Sequence, residues 1–412
     1  MTNPSRRPLI SGLTRRSLLA CAPAVLLAGH GLVRPAQAQD AAAVLRAARA
    51  PSSLAGTDAG GVTLDAFGGQ IPGPLLRATK GIALNINIIN DLSEIIDIRF
   101  PGLRGVPGGT VAAGTQSRMN LRPPDSGTFW YRTWPRRAGA PASGLYGFLL
   151  VDDPQRPDAD DEIALALDAW TLAPGRALVR VNGQASLTRP VRAGDRLYLR
   201  LLNAAPDRAM ALRLDAPTIW VMALDGQPAE PFIAREGRLA LAPGNRADLF
   251  VDAPEPGGTL TLSLDDGAQG IALAKLVAGP AAAQRPRSDP PRPLPANALP
   301  ARIDFRHAVR PEIQLGNVPG AAPAFAVRRG RPVVLTLVNP AEIACAVHVA
   351  GYAFRLLDRL DDGWKPFWLD TVMVLPGRTE RVAFVADMAG RWPIEVTPLG
   401  GGRPETFSFD VA

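Results

Sequence analysis

Side chains able to ligate a metal or attack a substrate are few in this chain of 412 residues: three histidines, His30, His307 and His348, and two cysteines, Cys21 and Cys345. His30 and Cys21 lie in a stretch that reads as a cleavable leader, which leaves two histidines and one thiol. Cys345 and His348 are close enough in sequence to suggest a small metal site. Their offset of three residues, however, sends side chains to opposite faces of a strand. Cys345 is therefore expected as a small buried apolar residue, and His348 as a hydrogen-bonded core histidine. His307 stands in Arg306-His307-Ala308 without a metal partner nearby and is expected at the surface. There is no Gly-rich phosphate loop and no Gly-x-Ser-x-Gly elbow, and so little histidine argues against a Ser–His–Asp triad. With one cysteine outside the leader, no intrachain disulfide can form.

The leader itself has a processing pattern. Thr14-Arg15-Arg16-Ser17-Leu18-Leu19 carries a twin arginine, a mildly apolar stretch runs to about Leu32, and Ala36-Gln37-Ala38 is a small-x-small cleavage site. The pattern predicts a signal over residues 1–38 and export of the folded protein to the periplasm. A transmembrane anchor is not expected, because Pro23, Gly29, His30 and Gly31 break a stretch that would need about 20 apolar residues to span. Leu18-Leu19-Ala20-Cys21 could pass for a lipobox, but almost no apolar run separates it from the arginines. The net charge of +7 also belongs mostly to the leader, whose five arginines face no acid; without them 40 basic groups meet 38 acidic ones. That balance leaves no concentrated basic patch for nucleic acid.

A spaced strand pattern then occurs three times. Gly81 is followed nine residues later by Asn90, Gly194 by Asn203, and Gly330 by Asn339. Between them apolar residues alternate in one register: Leu84, Ile86, Ile88; Leu197, Leu199, Leu201; Val333, Leu335, Leu337. Period two places each set on one face of a strand. A turn follows each copy, at Ala113-Gly114, Pro243-Gly244 and Pro376-Gly377. A repeat of roughly a hundred residues marks a domain duplication, since solenoid periods are about 20–50. With short strands and abundant Gly and Pro, an all-β chain of sandwiches is expected. Composition sets the boundaries: a lead-in at 39–58, domains at 59–153, 154–278 and 301–412, and a Pro/Ala-rich linker at 279–300.

Several stretches resemble the bacterial three-domain multicopper oxidases, the laccase-like family. They are Gly68-Gly69-Gln70-Ile71-Pro72-Gly73-Pro74, Asp125-Ser126-Gly127-Thr128-Phe129-Trp130-Tyr131, Gly144-Leu145-Tyr146-Gly147, Ala223-Leu224-Asp225-Gly226, Leu241–Asp248, Asp370-Thr371 and Phe384-Val385-Ala386-Asp387. The resemblance implies three tandem cupredoxin-like Greek-key sandwiches. It also implies a type 1 copper and a trinuclear copper cluster held by four His-x-His pairs, residues i and i+2 sharing one strand face. Those four pairs fall here on Arg99-Phe100-Pro101, Arg132-Thr133-Trp134, His348-Val349-Ala350 and Glu395-Val396-Thr397. Only His348 is a histidine. The type 1 cysteine position is Val396, one type 1 histidine position is Cys345, and the last falls near Gly401. Copper is therefore not expected as a cofactor. Instead Arg99 and Arg132 are expected to meet Glu395 as an ion pair in the cleft between the first and third domains, with His348 close by.

Asp358, Asp361 and Asp362 could in principle pair for acid–base hydrolysis, but the family layout makes that stretch a rim loop and a solvated turn. No catalytic residue is expected. The resemblance narrows to the copper-free, FtsP-type cell-division subset of the family. It implies a monomeric, non-catalytic scaffold or stabilising protein whose partners are envelope or divisome proteins. A copper-dependent laccase-type oxidoreductase and a small-ligand module using the vacated cleft are the alternatives.

Overall fold

Alternating apolar side chains become strands at all three copies of the repeat. In the computed structural model, which describes residues 42–50, 64–134, 144–173, 176–265, 270–281, 288–357 and 364–412, they form Leu84–Asn90, Arg196–Asn203 and Arg331–Val338. The glycine before each strand has positive φ (76°, 75° and 80°), a conformation that costs glycine least. The asparagine near the end of each copy closes it in one way. Asn90 Nδ2 donates to Glu94 O and Val111 O, Asn203 Nδ2 to Arg208 O and Leu241 O, and Asn339 Nδ2 to Ile343 O and Val374 O. Each Oδ1 accepts from the backbone N–H two residues on. The side chain thus satisfies backbone groups that the strand leaves behind, which is why this position recurs as asparagine.

Pairing is triplicated as well. Each repeat strand runs parallel to an earlier strand, Ala43–Arg49, Asp161–Ala173 or Glu312–Gln314. Each is antiparallel to the strand after its turn, Gln116–Leu121, Arg246–Asp252 or Thr379–Ala386. The six sheets pack as three sandwiches, with Leu84, Leu197 and Val333 each buried in a separate apolar core. Among the described residues the helical segments are two single 3-10 turns, Arg235–Gly237 and Phe305–His307. None of the described helices is long and apolar enough to cross a membrane.

Two expectations need correction. Within the expected lead-in, Ala43–Arg49 is a paired strand of the first sandwich, with Leu45 and Ala47 fully buried. Its alanines and arginines are weak strand formers, so tertiary pairing decides the outcome. The linker also starts later than composition suggests, because strand Ile271–Ala281 continues through Pro280. Gly279 pairs with Arg192 and Ala281 with Ala193, so Pro280 occupies a bulge, where its missing N–H costs no ladder bond. The twin-arginine segment and Asp358, Asp361 and Asp362 lie outside the described residues.

Asn203 carries a testable consequence. Asn203→Ala leaves the carbonyls of Leu241 and Arg208 and the N–H of Ala205 without their partner, and should cost about 2–4 kcal/mol of stability. Urea unfolding monitored by far-UV circular dichroism measures it; a change below about 0.5 kcal/mol would remove the asparagine from this role.

Candidate functional site

Arg99 and Arg132 are direct cross-strand partners on Ile96–Arg99 and Gly127–Thr133, so two like charges face each other on one sheet. Such a pair is destabilising unless it is compensated. The compensation comes from two carboxylates. Asp97 shares the face of Arg99 and lies 2.5 Å from its Nη2. Glu395, on Gly390–Pro398 of the third sandwich, accepts from Arg132 Nη2 at 2.6 Å. Its other oxygen faces Arg99 Nε at 4.0 Å, beyond hydrogen-bond reach. Glu395 is 1% exposed and Arg132 7%, so this pair is removed from water. The Arg132 guanidinium also lies 4.3 Å from the Trp134 ring centroid and 5.3 Å from that of Trp130. These two tryptophans stand at i+2 and i−2 on the same face, and the cation gains from both rings. Burial raises the Asp97 pKa, opposed chiefly by the charge of Arg99.

The other positions divide by strand face. His348 is the cross-strand partner of Glu395, yet its ring turns elsewhere: Nδ1 lies 3.2 Å from Asp370 Oδ1 and 3.1 Å from Thr371 Oγ1. Cys345 and Val396 point the opposite way, into the core of the third sandwich. Burial, with the charge of Glu405 adding to it, pushes the Cys345 thiol up to about 11, as for an inert core residue. Pro101 is buried, while Ala350 and Thr397 are half-buried. Trp134 Nε1 donates to Thr406 Oγ1 at 3.0 Å, a further link from the first sandwich to the third. His307 is exposed and lies 3.9 Å from Asp304.

A second charged cluster had no role assigned from sequence, although its residues sit in the stretches that carried the family resemblance. Arg246, fully buried in the second sandwich, donates to Thr128 O of the first and to both oxygens of Asp370 in the third. It also donates to Gly244 O and Asp225 O, which occupies its guanidinium on every side. The Asp225 carboxylate accepts from Arg246 N, from Asn245 Nδ2 and from the backbone N–H of Asp370. Burial alone would raise Asp370, but the charge of Arg246 and the hydrogen bond with His348 hold it below the usual carboxylate range. Burial and the nearby charge of Asp370 push Asp225 up to about 6. Gly102 (φ 83°) makes room for this meeting, because a Cβ there would stand 2.2 Å from Arg246 Nη2. The available signal for the cluster was two acids in turns that flank apolar strands, and an arginine that opens one.

The linker is fastened to the same region. Arg104 forms two bonds to the buried Asp125, at 2.6 and 2.7 Å, and reaches Ala298 O at 3.3 Å. Asn297 bonds Ser126 O and Gln227 Oε1, each at 2.9 Å. A cavity of about 450 Å³ lies elsewhere, on the second sandwich, lined by residues that include Arg196, Trp220, Phe250 and Asp252. No residue of the Arg99–Arg132–Glu395 cleft lines it.

Arg246 should be the most costly single position in these clusters. Arg246→Met leaves Asp370 and Asp225 buried without their cation and should lose about 3–5 kcal/mol. Arg49→Ala, which breaks an exposed pair with Asp65, should lose less than about 1 kcal/mol. Chemical unfolding of both variants beside the parent protein checks the contrast, and equal losses would contradict it.

Comparisons with known proteins agree with this fold. Two multicopper oxidase family models match residues 56–156 and 294–395. The multicopper oxidase MmcO of Mycobacterium tuberculosis is 25% identical over 403 residues, covering 79% of this chain and 78% of that protein. The structure of Lac15 from a marine microbial metagenome superposes with a TM-score of 0.78 at 28% identity, covering 90% of this chain and all of the other. A multi-copper oxidase from Pseudomonas thermotolerans gives 0.76 at 27% identity, covering 90% and 98%. The sandwiches are thus cupredoxin-like, and the chain belongs to the multicopper oxidase family.

Proposed function

We propose that this protein is a multicopper oxidase relative without copper chemistry, acting as a non-catalytic scaffold or stabilising protein in the cell envelope. The observation that carries the reading is the Arg132–Glu395 pair at 2.6 Å, standing at positions matched to two of the family's histidine pairs. The residues there do not fit a copper cluster. A guanidinium has no lone pair for a metal and keeps its positive charge at any working pH. Glu395 Oε2 is already engaged by Arg132. His348 is engaged with Asp370 and Thr371 through Nδ1. The type 1 position has Val396 and Cys345 in an apolar core in place of a thiolate with two imidazoles.

Export by the twin-arginine route to the periplasm is part of the proposal and rests on the leader sequence. The FtsP-type role, with divisome or other envelope proteins as partners, rests on shared export pattern and shared ligand replacement. A copper-dependent laccase-type oxidoreductase is the second reading, favoured by the names of the relatives. A small-ligand module using the vacated cleft is the third reading; Arg132, Glu395 and the neighbouring tryptophans stand in that cleft.

Protein purified after expression in copper-supplemented cells should carry copper far below one ion per chain. It should oxidise neither phenols nor cuprous ions. Elemental analysis with an oxygen-electrode assay provides the test. Near-stoichiometric copper with a blue copper–thiolate band would establish the oxidase reading instead.

A further inference from the structure

We infer that one water molecule binds between Arg99 Nε and Glu395 Oε1 and bridges the first sandwich to the third. The inference rests on the metal-free reading of the cleft and names what its facing polar atoms hold. Both atoms are buried, and neither has a hydrogen-bond partner among the described residues. They face each other at 4.0 Å, too far for a direct bond. Glu395 is 1% exposed, so bulk solvent does not reach this carboxylate oxygen. A charged acceptor left without a donor in such a place is costly. A polar contact of this length between buried groups is the setting in which a bridging water serves both sides.

The side chains are held apart by their other bonds. Arg99 Nη1 donates to Pro107 O at 2.7 Å and Nη2 to Asp97 Oδ2 at 2.5 Å, which fixes the guanidinium plane and the direction of its Nε–H. Glu395 Oε2 accepts from Arg132 Nη2, and the Glu395 backbone is paired in the sheet with His348 and Thr406. Closing the distance would break one of these bonds to make another. The charges then select the ligand. Asp97 and Glu395 balance Arg99 and Arg132, so the cluster favours neither sign. Glu395 Oε1 repels an anion, and the Arg99 guanidinium repels a metal ion and has no lone pair for it. A neutral group that accepts from Nε and donates to Oε1 fits, and water does both. Placed about 2.8 Å from each atom, it spans the 4.0 Å between them. Arg99 and Asp97 are 22% and 23% exposed, so water enters from their edge of the cleft.

The test is room-temperature diffraction from crystals of the full chain, some grown with sodium bromide and some with cupric sulfate. Each set is measured across the absorption edge of the added ion. A peak that refines as oxygen, within about 2.6–3.2 Å of both Arg99 Nε and Glu395 Oε1, is the expected result, with no anomalous signal from bromide or copper. A bromide peak there overturns the water and makes the position an anion site. Arg99 Nε and Glu395 Oε1 drawn together to about 3 Å, with no peak between them, overturns it as a direct ion pair. Both of those results leave the metal-free reading intact. A copper peak at the same position overturns the water and the metal-free reading together, so the two failures are distinguishable.

Discussion

Two guanidiniums facing each other across neighbouring strands impose the constraint on which this architecture turns. Arg99 and Arg132 are register partners, close enough to repel, with Arg132 buried and Arg99 half-buried. The first sandwich offers one acid, Asp97, to Arg99. The third sandwich supplies a second acid, Glu395, to Arg132. Moving the third sandwich away would separate the buried Glu395 from Arg132. Local strand pairing and interdomain placement are therefore one problem with a common solution.

The same logic is repeated at the centre. Arg246 reaches a carbonyl of the first sandwich, carbonyls of the second and a carboxylate of the third. Its neighbours Arg200 and Asp248 fasten the second sandwich to the first through the Thr128 hydroxyl, with Tyr198 donating to Asp248. These residues lie on strands whose other faces fill an apolar core, so one strand serves packing on one side and ionic registration on the other. That is why Arg196–Asn203 is buried along its whole length. The cores supply most of the driving force for folding, and the buried ions penalise alternative placements of the sandwiches.

Much of this was legible in the sequence, for identifiable reasons. The Gly–Asn repeat announced three equivalent strands because period-two alternation and a turn-forming asparagine are local signals. The cleft could be located because the family motifs bracket Arg99, Arg132, His348 and Glu395, and three of those meet there. Other features depend on distant partners and leave weaker traces. Ala43–Arg49 has little strand propensity and is held by Leu84–Asn90. His348 stands beside Glu395 on the neighbouring strand, but Asp370 and Thr371 capture its ring. Arg246 reads as one arginine in a strand until Thr128 and Asp370 are brought to it. Asp97 was overlooked although its offset of two from Arg99 places both on one face.

The central claim is that charged side chains occupy the position where relatives of this family would place a copper cluster. Diffraction collected above and below the copper absorption edge, from crystals grown with excess cupric ion, examines that position directly. The account predicts no anomalous peak among Arg99, Arg132, His348 and Glu395, and continuous density joining Arg132 to Glu395. An anomalous peak there, with Arg132 and Glu395 swung apart to admit it, would contradict the account.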